Sequence, residues 1–165
     1  MATTVSRQIK ATDPGCIVTG YAGTPILKGT LLIFDPSDGS NRVHDGGIAA
    51  LSGSGLFNGM SFVGVAKDEY PINRPGKTGT VRADVSPVEI YTSGVFEFNL
   101  FELDENEEWQ VVAVKDNDTV QNYVIGSSAT GGGIPCGVLV ERLSATSGLV
   151  MISPSRFFQY QDLIV

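Results

Sequence analysis

Residues 88–103 read VEIYTSGVFEFNLFEL, and this stretch restricts the fold more than any other in the chain. Val88, Ile90, Thr92, Gly94, Phe96, Phe98 and Leu100 take alternate positions, with Glu89, Tyr91, Ser93, Val95, Glu97, Asn99 and Phe101 between them. A period of two is the pattern of a strand with one buried face and one mostly polar face. The run is long for one strand. Ser93-Gly94 predicts the break, because glycine inside a strand marks a bulge or bend.

The rest of the chain repeats the theme. Twenty glycines and eight prolines separate short apolar runs, which predicts many strands joined by turns. Strands are predicted over residues 16–21, 26–35, 60–67, 80–85, 109–115, 134–142 and 149–152, with weaker signals over 43–51 and 120–125. Asp13-Pro14-Gly15, 35–39 (DPSDG), Asn58-Gly59 and 116–118 (DND) are turn signals. Residues 70–79 (YPINRPGKTG) must form a loop, and residues 109–115 are expected to return as the hairpin partner of the central stretch. Ser153-Pro154-Ser155 can cap one helical turn over 156–160.

Three pieces recur in the same order. Residues 31–35 (LLIFD) resemble 111–116 (VVAVKD), 62–67 (FVGVAK) resemble 135–141 (PCGVLVE), and 93–98 (SGVFEF) resemble 147–152 (SGLVMI). One reading is a unit of three core strands used twice, with a glycine in each middle strand where another backbone passes close. The other is that short β proteins reuse such phrases. The first reading predicts an all-β fold, a small barrel or sandwich built from two pseudo-repeated β units with an extended N-terminal arm. Residues 1–15 are the arm and 16–165 the β domain, with the repeats at about 26–101 and 108–153. The arm is either a frayed terminus or a segment that orders against a partner.

Composition excludes several function classes. Eighteen acids against eleven bases leave a net charge of −7 with no basic cluster, which argues against nucleic acid or an anionic membrane as partner. No apolar run approaches the ~20 residues of a membrane helix. The first fifteen residues lack the apolar core of a signal peptide, so synthesis and folding in a cytoplasm are expected. Cys16 and Cys136 then read as buried small hydrophobes rather than a disulfide.

Reaction chemistry is not legible. His44 is the only histidine, and two distant cysteines make no zinc set. The acids at 35–38 and 116–118 lack the ligand alternation of a calcium loop. Gly76-Lys77-Thr78 has Pro71 where a phosphate loop needs its first glycine, and it leads into a Thr/Val-rich strand. No nucleophile elbow exists. Glu89 and Glu97 are most simply polar residues of one solvated face, and Tyr70, Tyr91, Trp109, Tyr123 and Tyr160 read as core or interface. The expectation is a protein without catalytic residues, cofactor or metal.

The order of phrases carries a resemblance. VVAVKDNDTV (111–120), IPCGVLVER (134–142) and SGLVMI (147–152), with FVGVAKDE (62–69) and SGVFEF (93–98) in the first half, resemble the small β-rich capsid decoration, or cement, proteins of tailed bacteriophages. The first half departs from that pattern through the insertion at 70–87. The resemblance implies a non-enzymatic virion protein that binds the outside of an assembled head, with the major capsid protein as partner, self-association as a homotrimer and an arm laid on the shell. Under it, shell contact is expected from Thr3, Thr4, Val5, Arg7, Gln8, Ile9 and Lys10 in the arm. In the loop it is expected from Tyr70, Asn73, Arg74 and Lys77. Rival readings are a carbohydrate- or receptor-binding module of a tail or fibre, and a tail-tube or head–tail joining protein.

Overall fold

The computed structural model describes residues 11–35, 42–47, 60–70, 87–103, 108–123 and 133–153. Eleven strands account for most of them: β1 (Ala11–Pro14), β2 (Ile17–Tyr21), β3 (Leu31–Phe34), β4 (Val43–Asp45), β5 (Ser61–Ala66), β6 (Pro87–Tyr91), β7 (Gly94–Phe101), β8 (Val111–Val114), β9 (Thr119–Asn122), β10 (Ile134–Arg142) and β11 (Ser147–Ile152). They form two sheets, ordered β1-β7-β11-β10-β8-β9 and β2-β6-β5-β3-β4. The fold is all-β, of the sandwich or barrel-like kind that the alternating runs predict.

The central stretch does break where glycine predicts. Gly94 takes φ 128°, a backbone state that favours residues without Cβ. β6 lies in one sheet and β7 in the other. β1 and β2 follow them as one antiparallel ribbon: Pro14 opposes Gly94, Ile17 opposes Tyr91 and Tyr21 opposes Pro87. Across the break, the Gly15 N–H donates to the Ser93 carbonyl (3.1 Å) and the Thr92 N–H to the Cys16 carbonyl (2.9 Å).

The two sheets have the same wiring. Taken in chain order, β2–β6 and β7–β11 are each five strands laid out first-fifth-fourth-second-third. The registers agree residue by residue. Leu31 opposes Val65, Val65 opposes Tyr91 and Tyr91 opposes Ile17 in the first unit. In the second, Val111 opposes Val138, Val138 opposes Met151 and Met151 opposes Val95. Both fourth strands carry a bulge at the residue before their glycine: partners jump from Gly64 to Phe62 and from Gly137 to Pro135. The bulge also lets Pro135 sit in an interior strand. A Cβ on Gly64 would collide with the Tyr91 carbonyl oxygen, and one on Gly137 with that of Met151. Glycine is required here because neighbouring backbones approach too closely for any side chain.

Both units close on themselves through a parallel contact between first and third strands. In the second unit β7 pairs β9 over three residue pairs, including Leu100 with Val120. In the first, one bridge joins Ala22 to Val43, the corresponding positions, and the Gly23 N–H donates to the Val43 carbonyl (2.8 Å). The interior of the second unit is large: Phe96, Phe98, Leu100, Val112, Leu139 and Val150. Corresponding sites in the first hold Val18, Gly20, Ala22, Leu32, Ala66 and Ile90, and its cluster is smaller. Leu31, Ile33, Phe62 and Val65, on the opposite face of the first sheet, join the core of the second unit. The units therefore share the larger core, and the first keeps a smaller cluster of its own.

Several expectations are corrected. The 93–98 piece does not correspond to 147–152, since the strand in the position of β11 is β6. In sheet position the units are thus 17–91 and 94–152. β7 does not pair β8; its neighbours are β1, β11 and β9. The predicted strand over 26–35 is short, because Leu27–Thr30 is a turn with Gly29 at φ 79° and the Thr30 N–H on the Leu27 carbonyl. Ala11–Pro14, assigned to the arm, is a strand. Cys136 is fully buried, and burial pushes its thiol well above the ordinary range, but Cys16 is exposed at the ribbon's crossing. The turn at 58–59, the strand over 80–85 and the helical turn over 156–160 lie outside the described residues.

Candidate docking surfaces

The loop and arm selected from sequence are only partly placed. Thr3, Thr4, Val5, Arg7, Gln8, Ile9, Lys10, Asn73, Arg74 and Lys77 lie outside the described residues, as does Gly76-Lys77-Thr78. Tyr70 is described and is a fold anchor: it exchanges two backbone hydrogen bonds with Ile26 (2.6 and 2.7 Å) and packs on the first unit's cluster.

Among the described residues, no group of three or more His, Cys, Asp or Glu is placed to hold a metal ion. No helix among the described residues is long and apolar enough to cross a membrane. His44 is buried on β4 opposite Ile33. Glu89 is on β6, bound to Lys67 at 2.7 Å, while Glu97 is on β7 in the other sheet. Exposed pairs of that kind contribute little to stability.

Asn117, between Asp116 and Asp118, links the two units. The Asn117 carbonyl accepts the Leu31 N–H (2.8 Å), and its amide donates to Asp45 Oδ2 (3.2 Å). Asp45 Oδ1 accepts the Gly47 N–H (2.9 Å). Asp118 accepts from Thr119 Oγ1 (2.7 Å) and Asn99 Nδ2 (3.2 Å). Burial raises the Asp45 carboxyl above its ordinary 3.8, against hydrogen bonds from Gly47, Asn117 and Thr30, and the Asp116 charge adds to the rise.

A raised folded-state pKa means that the folded chain holds this proton more tightly than the unfolded chain does. The resulting stabilisation is complete below the unfolded pKa and is lost as pH rises through the folded one. Asp45→Asn, neutral at every pH, is therefore expected to gain stability relative to the native chain as pH rises. Urea midpoints for both proteins from about pH 4 to about pH 7 measure this, and parallel curves would contradict it.

A hollow of about 520 Å³ is lined by Glu108, Arg142, Leu143, Ser144 and Ala145. It is open, and the Arg142 side chain is engaged in its own turn, donating to the Ser144 (2.9 Å) and Ala145 (3.3 Å) carbonyls. Trp109, next to Glu108, is 70% exposed. It sits at φ 68°, with its backbone N–H on the Leu139 carbonyl (2.5 Å). Sequence reasoning placed it in a strand.

A second surface is an apolar row that crosses four strands. Val95, Met151, Val138 and Val111 are consecutive cross-strand neighbours on the outer face of the second unit. Met151 is 44% exposed and the three valines are partly exposed. Their counterparts in the first unit are Ile17, Tyr91, Val65 and Leu31. Leu31 and Val65 are fully buried, and Tyr91 packs against the same core with its ring 5.5 Å from Phe96. The first unit thus packs three of its four positions, Tyr91, Val65 and Leu31, against its neighbour, while the second leaves all four of its own partly exposed. The alternation in sequence marks these residues as outward-facing but not which outward face is covered.

Compared with known proteins, the chain matches no family model, no curated protein and no solved structure.

Proposed function

We propose that the chain is a structural docking protein of a tailed-phage head, a decoration protein that binds the outer surface of the assembled capsid as a homotrimer. The observation that carries this reading is the partly exposed Val95–Met151–Val138–Val111 row, whose counterpart in the first unit is packed at Tyr91, Val65 and Leu31. The sequence phrases that resemble decoration proteins support it.

The mechanism is addition of buried area. Apolar surface removed from water contributes about 25 cal/mol per Å². A few such side chains pressed across the joint between two capsid subunits add stabilisation that rupture must first remove. Many copies act together, so each site needs only modest affinity. No side-chain chemistry is called for.

Met151→Lys tests this. The side chain is exposed and leaves the core untouched, so the melting temperature should stay within a few degrees of native. Binding to empty heads, followed by co-sedimentation, should fall at least tenfold, since a buried unpaired ammonium costs more than ~1.4 kcal/mol. Undiminished binding would remove this face from the account.

A second reading, a carbohydrate- or receptor-binding module of a tail or fibre, draws on Trp109 beside the Glu108–Arg142 hollow. Glycan-array binding lost in Trp109→Ala would favour it.

A further inference from the structure

The repeat exposes a second asymmetry, in the backbone. On the edge of β7 that faces away from β11, β1 covers Gly94–Phe96 and β9 covers Asn99–Phe101. The corresponding edge of β2 meets Val43 at Ala22 and, among the described residues, has nothing in the place of β1. The strand reads Ile17-Val18-Thr19-Gly20-Tyr21, with no charge and no proline. Ile17 and Val18 are each 45% exposed and Tyr21 is 53% exposed. Open edges of this kind are normally blunted by charge, proline or a covering segment.

We propose that residues 3–9 of a second copy of this chain add to β2 as an antiparallel strand, in the place that β1 takes on β7. The occupant of the matching edge is itself an N-terminal segment of this protein. The segment before it, TTVSRQI, has four β-branched residues and neither glycine nor proline, so it offers a donor at every position. It and Lys10 add two positive charges and no acid, in a chain of net charge −7.

Register excludes residues 3–9 of the same copy: β1 and β2 are collinear, so an arm turning back at Ile9-Lys10 would set residue 8 opposite 11 and residue 3 opposite 16, short of β2. A second copy has no such limit. Residues 3–9 extended span about 23 Å, more than the about 17 Å of the five-residue β2, and Lys10 links them to β1. The joint is heterologous, arm to edge, so repeats of it build a ring where the rotation closes and a filament where it does not. The claim concerns the free protein in solution and stands apart from the capsid reading.

Two full-length variants test it. Val5→Pro with Arg7→Pro removes arm donors, and Val18→Lys charges the exposed edge. Sedimentation velocity should show an oligomer for the native chain and a single-chain mass for each variant, with native far-ultraviolet spectra. On mixing, the arm of the Val18→Lys chain can still join the edge of the proline variant, so a one-to-one heterodimer should form. A monomeric native protein, an oligomer that survives either variant, or a mixture that stays monomeric would each overturn the proposal; survival of the proline variant alone would point to β2 pairing with β2.

Discussion

Gly137→Ala is expected to lower the unfolding free energy by about 3 kcal/mol. The added methyl would collide with the Met151 carbonyl oxygen and lie 3.0 Å from Ile152 Cα. Both obstacles are backbone, so no side chain can rotate away. β10 and β11 would have to separate at the centre of the second unit, where Gly137 opposes Ile152. For a domain whose total stability is roughly 5–15 kcal/mol, that is a large fraction. Urea unfolding should show a lower midpoint at an unchanged slope. Gly64→Ala should act in the same direction, since its Cβ would strike the Tyr91 carbonyl oxygen at the matching position. A neutral effect at both sites would mean that the bulges, rather than the glycines, set the strand spacing.

Phe98→Ala is expected to cost about 4 kcal/mol. Phe98 is fully buried, with its ring 6.4 Å from that of Phe96, and it fills the second unit's interior. The closed ring of strands around it limits collapse, so most of the vacated volume should persist as a cavity. The corresponding site in the first unit is Gly20, with Ile90 Cδ1 2.7 Å from where its Cβ would lie. That unit is already filled from its other strands. The contrast predicts that unfolding is governed by the second unit: Phe98→Ala should shift the urea midpoint more than Ile90→Ala, and the reverse order would contradict the assignment of the main core.

The two units differ most where they meet something else. The first buries its outer row of Leu31, Val65 and Tyr91 against its neighbour and leaves β2 open at the edge. The second covers the β7 edge with β1 and leaves its outer row of Val95, Met151, Val138 and Val111 toward solvent. A single chain therefore satisfies one copy of each surface and presents the other. The proposed docking face and the proposed arm-to-edge joint both rest on that asymmetry.

Much of this was legible in residue order, because strand faces and turns are local. Alternation marked Phe96 and Phe98 as inward, Gly94 as the break, and Gly64 and Gly137 as close approaches. Two of the three repeated pieces hold their register through the bulge. The third misled, since 93–98 and 147–152 share letters while β6 and β11 share position. Pairing is non-local: a period of two says which way a side chain points and nothing about which strand lies alongside. Hence β8 was assigned to β7, and Trp109 to a strand it does not join.

Sequence by itself determined the all-β class, most strand positions and the glycines that neighbouring backbones require, each set by the local sterics of a pleated chain. Only the tertiary structure decided that the five-strand wiring occurs twice, that both units close through a parallel contact, and that one apolar row is packed at three of its four positions while its twin is partly exposed. Exposure is a property of what packs against a face, and that depends on residues far away along the chain.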